Sequence, residues 1–315
     1  RPGKPVEPGV PGVLHQLKHS GSSRANRLDL AHWLASPDNP ITTRVVVNRI
    51  WQQYFGRGIV ETENDFGTQG AAPTFPELLD WLATEFMHPS EPGIPAWSMK
   101  HIHQLIVTSE IYRQSSHARP DLDLVDPNNH LLARQSRIRL DAEIIRDAAL
   151  EASGLLSHKI GGPPVYPPQP DGVMNLGQVK RDWTASKGAD RYRRAIYTHY
   201  WRATPHPALA VFDTPDSFSA CTRRLRSNTP LQALTLLNDT QFHEFAEALG
   251  ERVMKESPAD RITRLFEFCV SRKPSDREAK RLQQYLHAQA NLPEKEQWTA
   301  MARVLLNTDE MITRE

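Results

Sequence analysis

The stretch SRIRLDAEIIRDAALEASG (136–154) sets the fold class. Ile138, Ala142, Ile145, Ala149 and Ala152 recur at intervals that a helix gathers onto one apolar face. Gly154 stands where that helix should stop, since glycine enters the left-handed C-terminal conformation without strain. The spacing predicts a helix from about Ser136 to Ser153. The same period runs toward the N-terminus. Ser98–Arg113 carries Ile102, Leu105, Ile106 and Ile111. Thr74 reads as the cap of a helix with Pro76 and Glu77 in its first turn and Leu78, Leu79, Leu82 and Phe86 inward. Thr42–Phe55 presents Val46, Val47, Ile50, Trp51 and Tyr54 ahead of Gly56 and Gly58. Arg27–Ala35 presents Leu28, Leu30, Ala31 and Leu34 before Ser36–Pro37.

Toward the C-terminus, further helices are expected near 229–250, 258–270, 275–290 and 295–307, with Ser257–Pro258 and Ser275 as starts. Arg194–Tyr200 alternates and reads as a strand. The chain is therefore expected to be mainly α, a single multi-helix domain over 26–310 with a short β element. A Pro/Gly-rich linker (1–25) precedes it, because Pro2, Pro5, Pro8 and Pro11 bar helix and ladder alike. Residues 311–315 read as a tail.

Lys plus Arg total 38 against 37 Asp plus Glu, so no cationic excess is available to displace counterions from duplex nucleic acid. No apolar run reaches the 18 or so residues that a membrane span needs. The first residue is Arg1, so the chain is expected to be a piece of a longer protein with any targeting signal upstream. The two cysteines, Cys221 and Cys269, form no CxxC pair, which excludes thiolate zinc, iron–sulfur and c-type haem attachment within this segment. They read either as a disulfide or as two separately buried thiols.

One segment lacks periodicity. From Leu156 to Asp190, Gly161, Gly162, Pro163, Pro164, Pro167, Pro168 and Pro170 crowd the first half. Loops of this length are functional or disordered, and Tyr166, Met174, Lys180, Arg181 and Trp183 supply groups that can pack. It reads as an ordered functional loop or lid, as an ordered structural wrap, or as a disordered stretch.

Several constellations could carry chemistry. Glu143, Asp147 and Glu151 repeat at i, i+4 with Arg139 and Arg146 beside them; such crowding can separate acid from base roles, or can be ordinary helix electrostatics. His199 and His206 flank the Thr204–Pro205 break, where a histidine could do acid–base work or simply hydrogen-bond. His101 and His103 are two apart, the wrong spacing for a helical metal pair. Asp121, Asp123, Asp126 and Asn128 resemble a calcium loop but lack its glycine and terminal glutamate, which favours turn chemistry. Asp213 and Asp216 precede Arg223, Arg224 and Arg226, and Asn228–Thr229–Pro230 then opens a helix. Three guanidiniums at a helix start form an anion site, unless they pair with local carboxylates.

RLDLAHWLASPDNPITTRVVVNRIWQQYFGRGIVETENDFGTQG (27–70), PTFPELLDWLATEF (73–86), WSMKHIHQLIVTSEIYRQSS (97–116), RLDAEIIRDAALEASGLL (139–156), GGPPVYPPQP (161–170), YRRAIYTHYWRATPHPALAVFDTPD (192–216) and NTPLQALTLLND (228–239) together resemble the planctomycete domain of unknown function 1553. The resemblance implies a setting: an exported, periplasmic or cell-surface protein, with a cytochrome-c-like module and a domain of unknown function 1549 upstream. Haem c would belong to that upstream module, and no cofactor is implied within this chain. No catalytic residues come with the family.

Three functions are expected in order. The first is a C-terminal module binding a substrate or partner, with acidic or carbohydrate ligands. Tyr166 and Trp183 would stack on sugar rings, while Arg223, Arg224, Arg226 and Asn228 would hold acidic groups. Polysaccharide enters by analogy with the habitats of such exported systems. The second is a composite active site oxidising or hydrolysing polysaccharide, with Glu143 and Asp147, or Asp213 with His206, as acid and base. It requires these groups and the arginines to converge beneath the 156–190 loop. The third is a structural or assembly domain.

Overall fold

The computed structural model describes residues 3–19, 21, 24–122, 124–176 and 181–314. Asp123 and Lys180 lie outside the described residues. The fold is mainly helical, as the periodicity requires, and divides into two compact units, one up to Arg137 and one spanning Ile138–Arg314.

The first unit contains α1 (Arg27–Leu34), α2 (Thr42–Phe55), α3 (Pro76–Met87) and α4 (Met99–Thr108). Its core joins Val47, Ile50, Trp51 and Phe55 of α2 to Leu79, Leu82 and Phe86 of α3 and Ile102 and Ile106 of α4. The apolar stripe expected of α1 faces outward instead: Leu28, Leu30 and Leu34 are exposed, and Asp29 and Trp33 are buried. Asp29 closes a capping box with Asn26, while the Trp33 ring stacks on His15 at 4.9 Å and its Nε1 donates to the His15 carbonyl at 2.7 Å. Thr74 does not cap α3. Its amide donates to the Ile59 carbonyl at 2.8 Å, and Phe75 is the cap residue. Ser98 caps α4 through the His101 amide, and the helix stops at Thr108, short of Arg113.

The second unit holds α5 (Ala142–Ser153), α6 (Pro207–Ala210), α7 (Pro230–Asn238), α8 (Thr240–Met254), α9 (Arg261–Val270), α10 (Asp276–Ala288), α11 (Glu294–Leu306) and α12 (Asp309–Ile312). The helix expected from Ser136 begins only at Ala142. Ile138–Arg139 (β1) instead pairs antiparallel with Thr313–Arg314 (β2), Ile138 opposite Arg314. Residues 311–314 of the expected tail are therefore built in, with Met311 and Ile312 buried. Gly154 ends α5 at φ 75°, the left-handed stop its position demanded. The segment expected as one helix near 229–250 is two, because Asp239 is extended and its carboxylate accepts the Gln241 amide at the start of α8.

Helix α8 lies against α11 at close range. A Cβ on Gly250 would sit 3.0 Å from the Thr299 amide nitrogen, so a hydrogen in place of a side chain lets the backbones approach. Phe245, Leu249 and Val253 of α8 meet Trp298, Met301, Leu305 and Leu306 of α11 in the core that α5 and α9 complete.

The strand expected at 194–200 is a 3-10 turn, Ala195–Tyr197. The β element lies at β1 and β2, and near 194–200 only isolated parallel bridges form, Ser157 with Arg193 and Val165 with Thr198. These bridges tie the 156–190 segment to the chain that follows it.

Candidate functional site

The GGPP turn of the 156–190 segment is held by a buried arginine. Arg193 donates through Nη1 to the Pro163 carbonyl at 3.0 Å and through Nη2 to the carbonyls of Lys159, at 3.4 Å, and Gly161. Its guanidinium also lies 3.8 Å from the Tyr197 ring centre. Gly161 and Gly162 adopt φ 75° and 91°, conformations that residues with a Cβ rarely take. Arg146 works the same way one layer down. It is buried and donates to the carbonyls of Arg191 and Arg193 and to Gln241 Oε1, and burial lowers its pKa to about 10.

With the turn fixed, the following residues enter an aromatic cluster. The Val165–Thr198 bridge sets Tyr166 beside His199, their rings stacked at 4.9 Å. Trp183 meets Tyr166 edge-on at 5.1 Å and donates from Nε1 to the Pro167 carbonyl at 2.7 Å. The same indole lies 5.8 Å from His206, and Trp201 meets His199 at 4.5 Å under the Arg181 guanidinium. The sequence singled out Tyr166 and Trp183, and the structure brings them together.

His206 is 2% exposed. Its Nε2 has two neighbours, the Pro168 carbonyl at 2.9 Å, which can only accept, and the Gln241 side-chain nitrogen at 3.3 Å; the shorter contact places the proton on Nε2 and leaves Nδ1 as an acceptor. Burial pushes its pKa down to about 4, so the ring is neutral at ordinary pH. Among the described residues nothing pairs with His206 Nδ1, nor with five other buried polar atoms on the two bridged segments: Gln169 Oε1, Arg193 Nε, Thr198 Oγ1, His199 Nε2 and Trp201 Nε1. Buried polar groups in native proteins are overwhelmingly paired, and each unpaired one costs about 1–3 kcal/mol.

The charged candidates gather elsewhere, around the start of α5. Arg224 grips Glu143 with both Nη atoms, at 2.5 and 3.1 Å, and Arg226 Nη2 lies 3.3 Å from Asp141 Oδ1. Asp213 accepts from Arg139 Nη2 at 2.5 Å and from the amide and hydroxyl of Ser227. Arg223 and Asn228 are exposed. Asp147 is turned to the Ala195 amide at 2.7 Å, and burial raises its pKa. Glu143, Asp147, Asp213 and His206 therefore each hold separate partners, and His206 is the member of the set that bonds to the 156–190 segment.

Other expectations resolve locally. Cys221 and Cys269 are free thiols, Cys221 exposed and Cys269 buried, so the pair is neither a disulfide nor two buried thiols. His101 Nε2 pairs with buried Glu85 at 2.8 Å, and Tyr54 hydrogen-bonds His103. Asp126 accepts the amides of His130 and Leu131, and Asp121 pairs with Arg119, which is turn chemistry. Among the described residues no helix is long and apolar enough to cross a membrane, and no group of three His, Cys, Asp or Glu is placed to hold a metal ion.

Arg193 and Trp201 were missed as site residues. Their signal was the density of rings and cations in YRRAIYTHYWRATPH (192–206), within which Arg194–Tyr200 reads by alternation as a strand.

No curated protein and no solved structure matches the chain. The family PSD1, protein of unknown function (DUF1553), matches residues 26–286, most of its length, and the chain belongs to that family.

Proposed function

We propose that the chain is a binding module and that it takes a carbohydrate ligand at the aromatic–histidine cluster that the 156–190 segment forms with residues 199–206. One observation carries this reading: Tyr166, Trp183 and Trp201 lie beside buried hydrogen-bonding atoms that have no partner among the described residues. Sugar sites combine those two features, since ring faces cover C–H groups and fixed polar atoms take the hydroxyls. The setting proposed is an exported multidomain protein with a cytochrome-c-like module and a domain of unknown function 1549 upstream, as the family resemblance implies. Acidic ligands held by Arg224 and Arg226 find less support, because Glu143 and Asp141 already neutralise them. Acid–base catalysis by Glu143, Asp147 or Asp213 with His206 also finds less support, since each group has its own partner.

The test is binding of the whole chain to an array of immobilised neutral and sulfated glycans. Wild-type protein should give signal on a subset, and Trp183→Ala should lose it while remaining folded by circular dichroism. Silence of the wild-type protein across the array rejects the reading.

A further inference from the structure

The geometry points to hydroxyl groups on an uncharged ligand as what this cluster reads, with His206 Nδ1 and the Trp201 indole N–H as the reading atoms. The inference deepens the binding reading above and rests on it.

The argument is one of hydrogen-bond sign. Trp201 Nε1 can only donate. His206 Nδ1 accepts, because the Pro168 carbonyl at 2.9 Å, nearer to Nε2 than the Gln241 side-chain nitrogen at 3.3 Å, holds the proton on Nε2. Gln169 Oε1 can only accept as well. All three are buried without a partner among the described residues. A carboxylate or sulfate would satisfy the indole but turn lone pairs toward both acceptors. An ammonium would satisfy the acceptors and leave the indole unpaired. A hydroxyl donates and accepts, so a polyhydroxylated ligand is the class that satisfies the whole set without burying a charge.

The distribution of charge agrees. Arg224 and Arg226 are spent on Glu143 and Asp141 around the start of α5. Arg181, whose guanidinium lies 3.9 Å from the Trp201 ring centre, is the cation in ring contact with the cluster among the described residues. It is exposed, so it offers a polyanion an outer contact and no buried one.

Two measurements decide the point. On the array, signal should follow neutral glycans, and sulfation of a bound glycan should weaken it. Affinity for the strongest neutral hit, followed by calorimetry, should fall about tenfold in Trp201→Phe, the loss expected for one hydrogen bond in a buried site. This substitution keeps an aromatic ring and removes an unsatisfied donor, so the melting temperature of the free protein should hold or rise. Binding that tracks sulfate and is lost in Arg181→Ala overturns the inference while leaving a binding module. Unchanged affinity in Trp201→Phe overturns the role of the indole donor. An array with no signal removes the inference and the binding reading together.

Discussion

Arg139 Nη2 lies 2.5 Å from Asp213 Oδ2, in an ion pair whose guanidinium side chain is 7% exposed and whose carboxylate is 22% exposed. The other nitrogens of Arg139 donate to the carbonyls of Ser227 and Leu140. Asp213 in turn accepts from the Ser227 amide and hydroxyl. One buried cation thus joins β1 to the chain on either side of the arginine run. Asp213 sits at φ 60°, a left-handed conformation that Asn also tolerates, so Asp213→Asn removes the charge with little added backbone strain. Removing one member of a buried pair costs about 3–5 kcal/mol. The partial exposure of Asp213 places the expected loss at the low end, about 3 kcal/mol by urea unfolding. Ser227→Ala removes the hydroxyl's bond to Asp213 and the one it accepts from Gln232 Nε2, and should cost about 2 kcal/mol.

Acid should destabilise the protein through His206. Its ordinary pKa of 6.5 applies in the unfolded chain, and burial lowers it to about 4 in the fold. Between those values the unfolded state binds more protons, so stability rises with pH. The contribution is complete above pH 6.5 and is lost as pH falls to about 4. It amounts to about 3 kcal/mol at 1.36 kcal/mol per unit. Glu278, lowered to about 2 by Arg272 and Ser275, acts in a separate and lower window, losing its contribution below its ordinary 4.5. Unfolding free energies measured from pH 7 to 4 should therefore fall more steeply in the wild-type protein than in His206→Phe. Equal slopes would show that His206 is not held neutral by the fold.

Helix existence was legible because each long helix buries one stripe, and the periods around Val47, Leu82, Ile145 and Leu305 survive into the core. Boundaries failed where long-range pairing outbid local period. Ile138 fits the face of α5 in spacing, yet its backbone pairs with Arg314. Leu28, Leu30 and Leu34 fit a buried stripe, but a helix of eight residues anchored by Trp33 and Asp29 turns them outward. At the candidate site, Tyr166 and Trp183 could be read from their residue types. The burial and bare Nδ1 of His206 could not, because they depend on the carbonyl of Pro168, 38 residues away. The arginine run was legible as charge and ambiguous in role until Glu143 and Asp141 were seen beside it.

Gly58 should not tolerate a methyl group. A Cβ there would lie 2.5 Å from the Val60 carbonyl oxygen and 2.6 and 2.8 Å from the Asn48 amide atoms. Asn48 is fully buried, donating from Nδ2 to the Val60 carbonyl at 3.0 Å and accepting the Val60 amide at 2.8 Å. Gly58→Ala must push that side chain away and strand those groups, at a cost of about 3 kcal/mol from overpacking and lost hydrogen bonds. Asn48→Ala loses the same bonds but opens the space. The double variant should therefore be less destabilised than the sum of the singles, a coupling that a denaturation cycle measures directly.

The GGPP turn should depend on the shape of Arg193 and not only on its charge. Its planar fork reaches the carbonyls of Lys159, Gly161 and Pro163 while stacking on Tyr197. A lysine ammonium is a compact, strongly hydrated charge that cannot span that arc or stack on the ring. Arg193→Lys keeps the positive charge, so a purely electrostatic role would survive it. A loss of about 3 kcal/mol is expected in urea unfolding, since a buried, poorly solvated charge is left with fewer of its carbonyl partners. The change should also be local: hydrogen exchange of the amides of Gly161, Val165 and His199 should accelerate more than that of Leu249 in the core. Uniform acceleration would mean that Arg193 supports the whole unit and not the GGPP turn in particular.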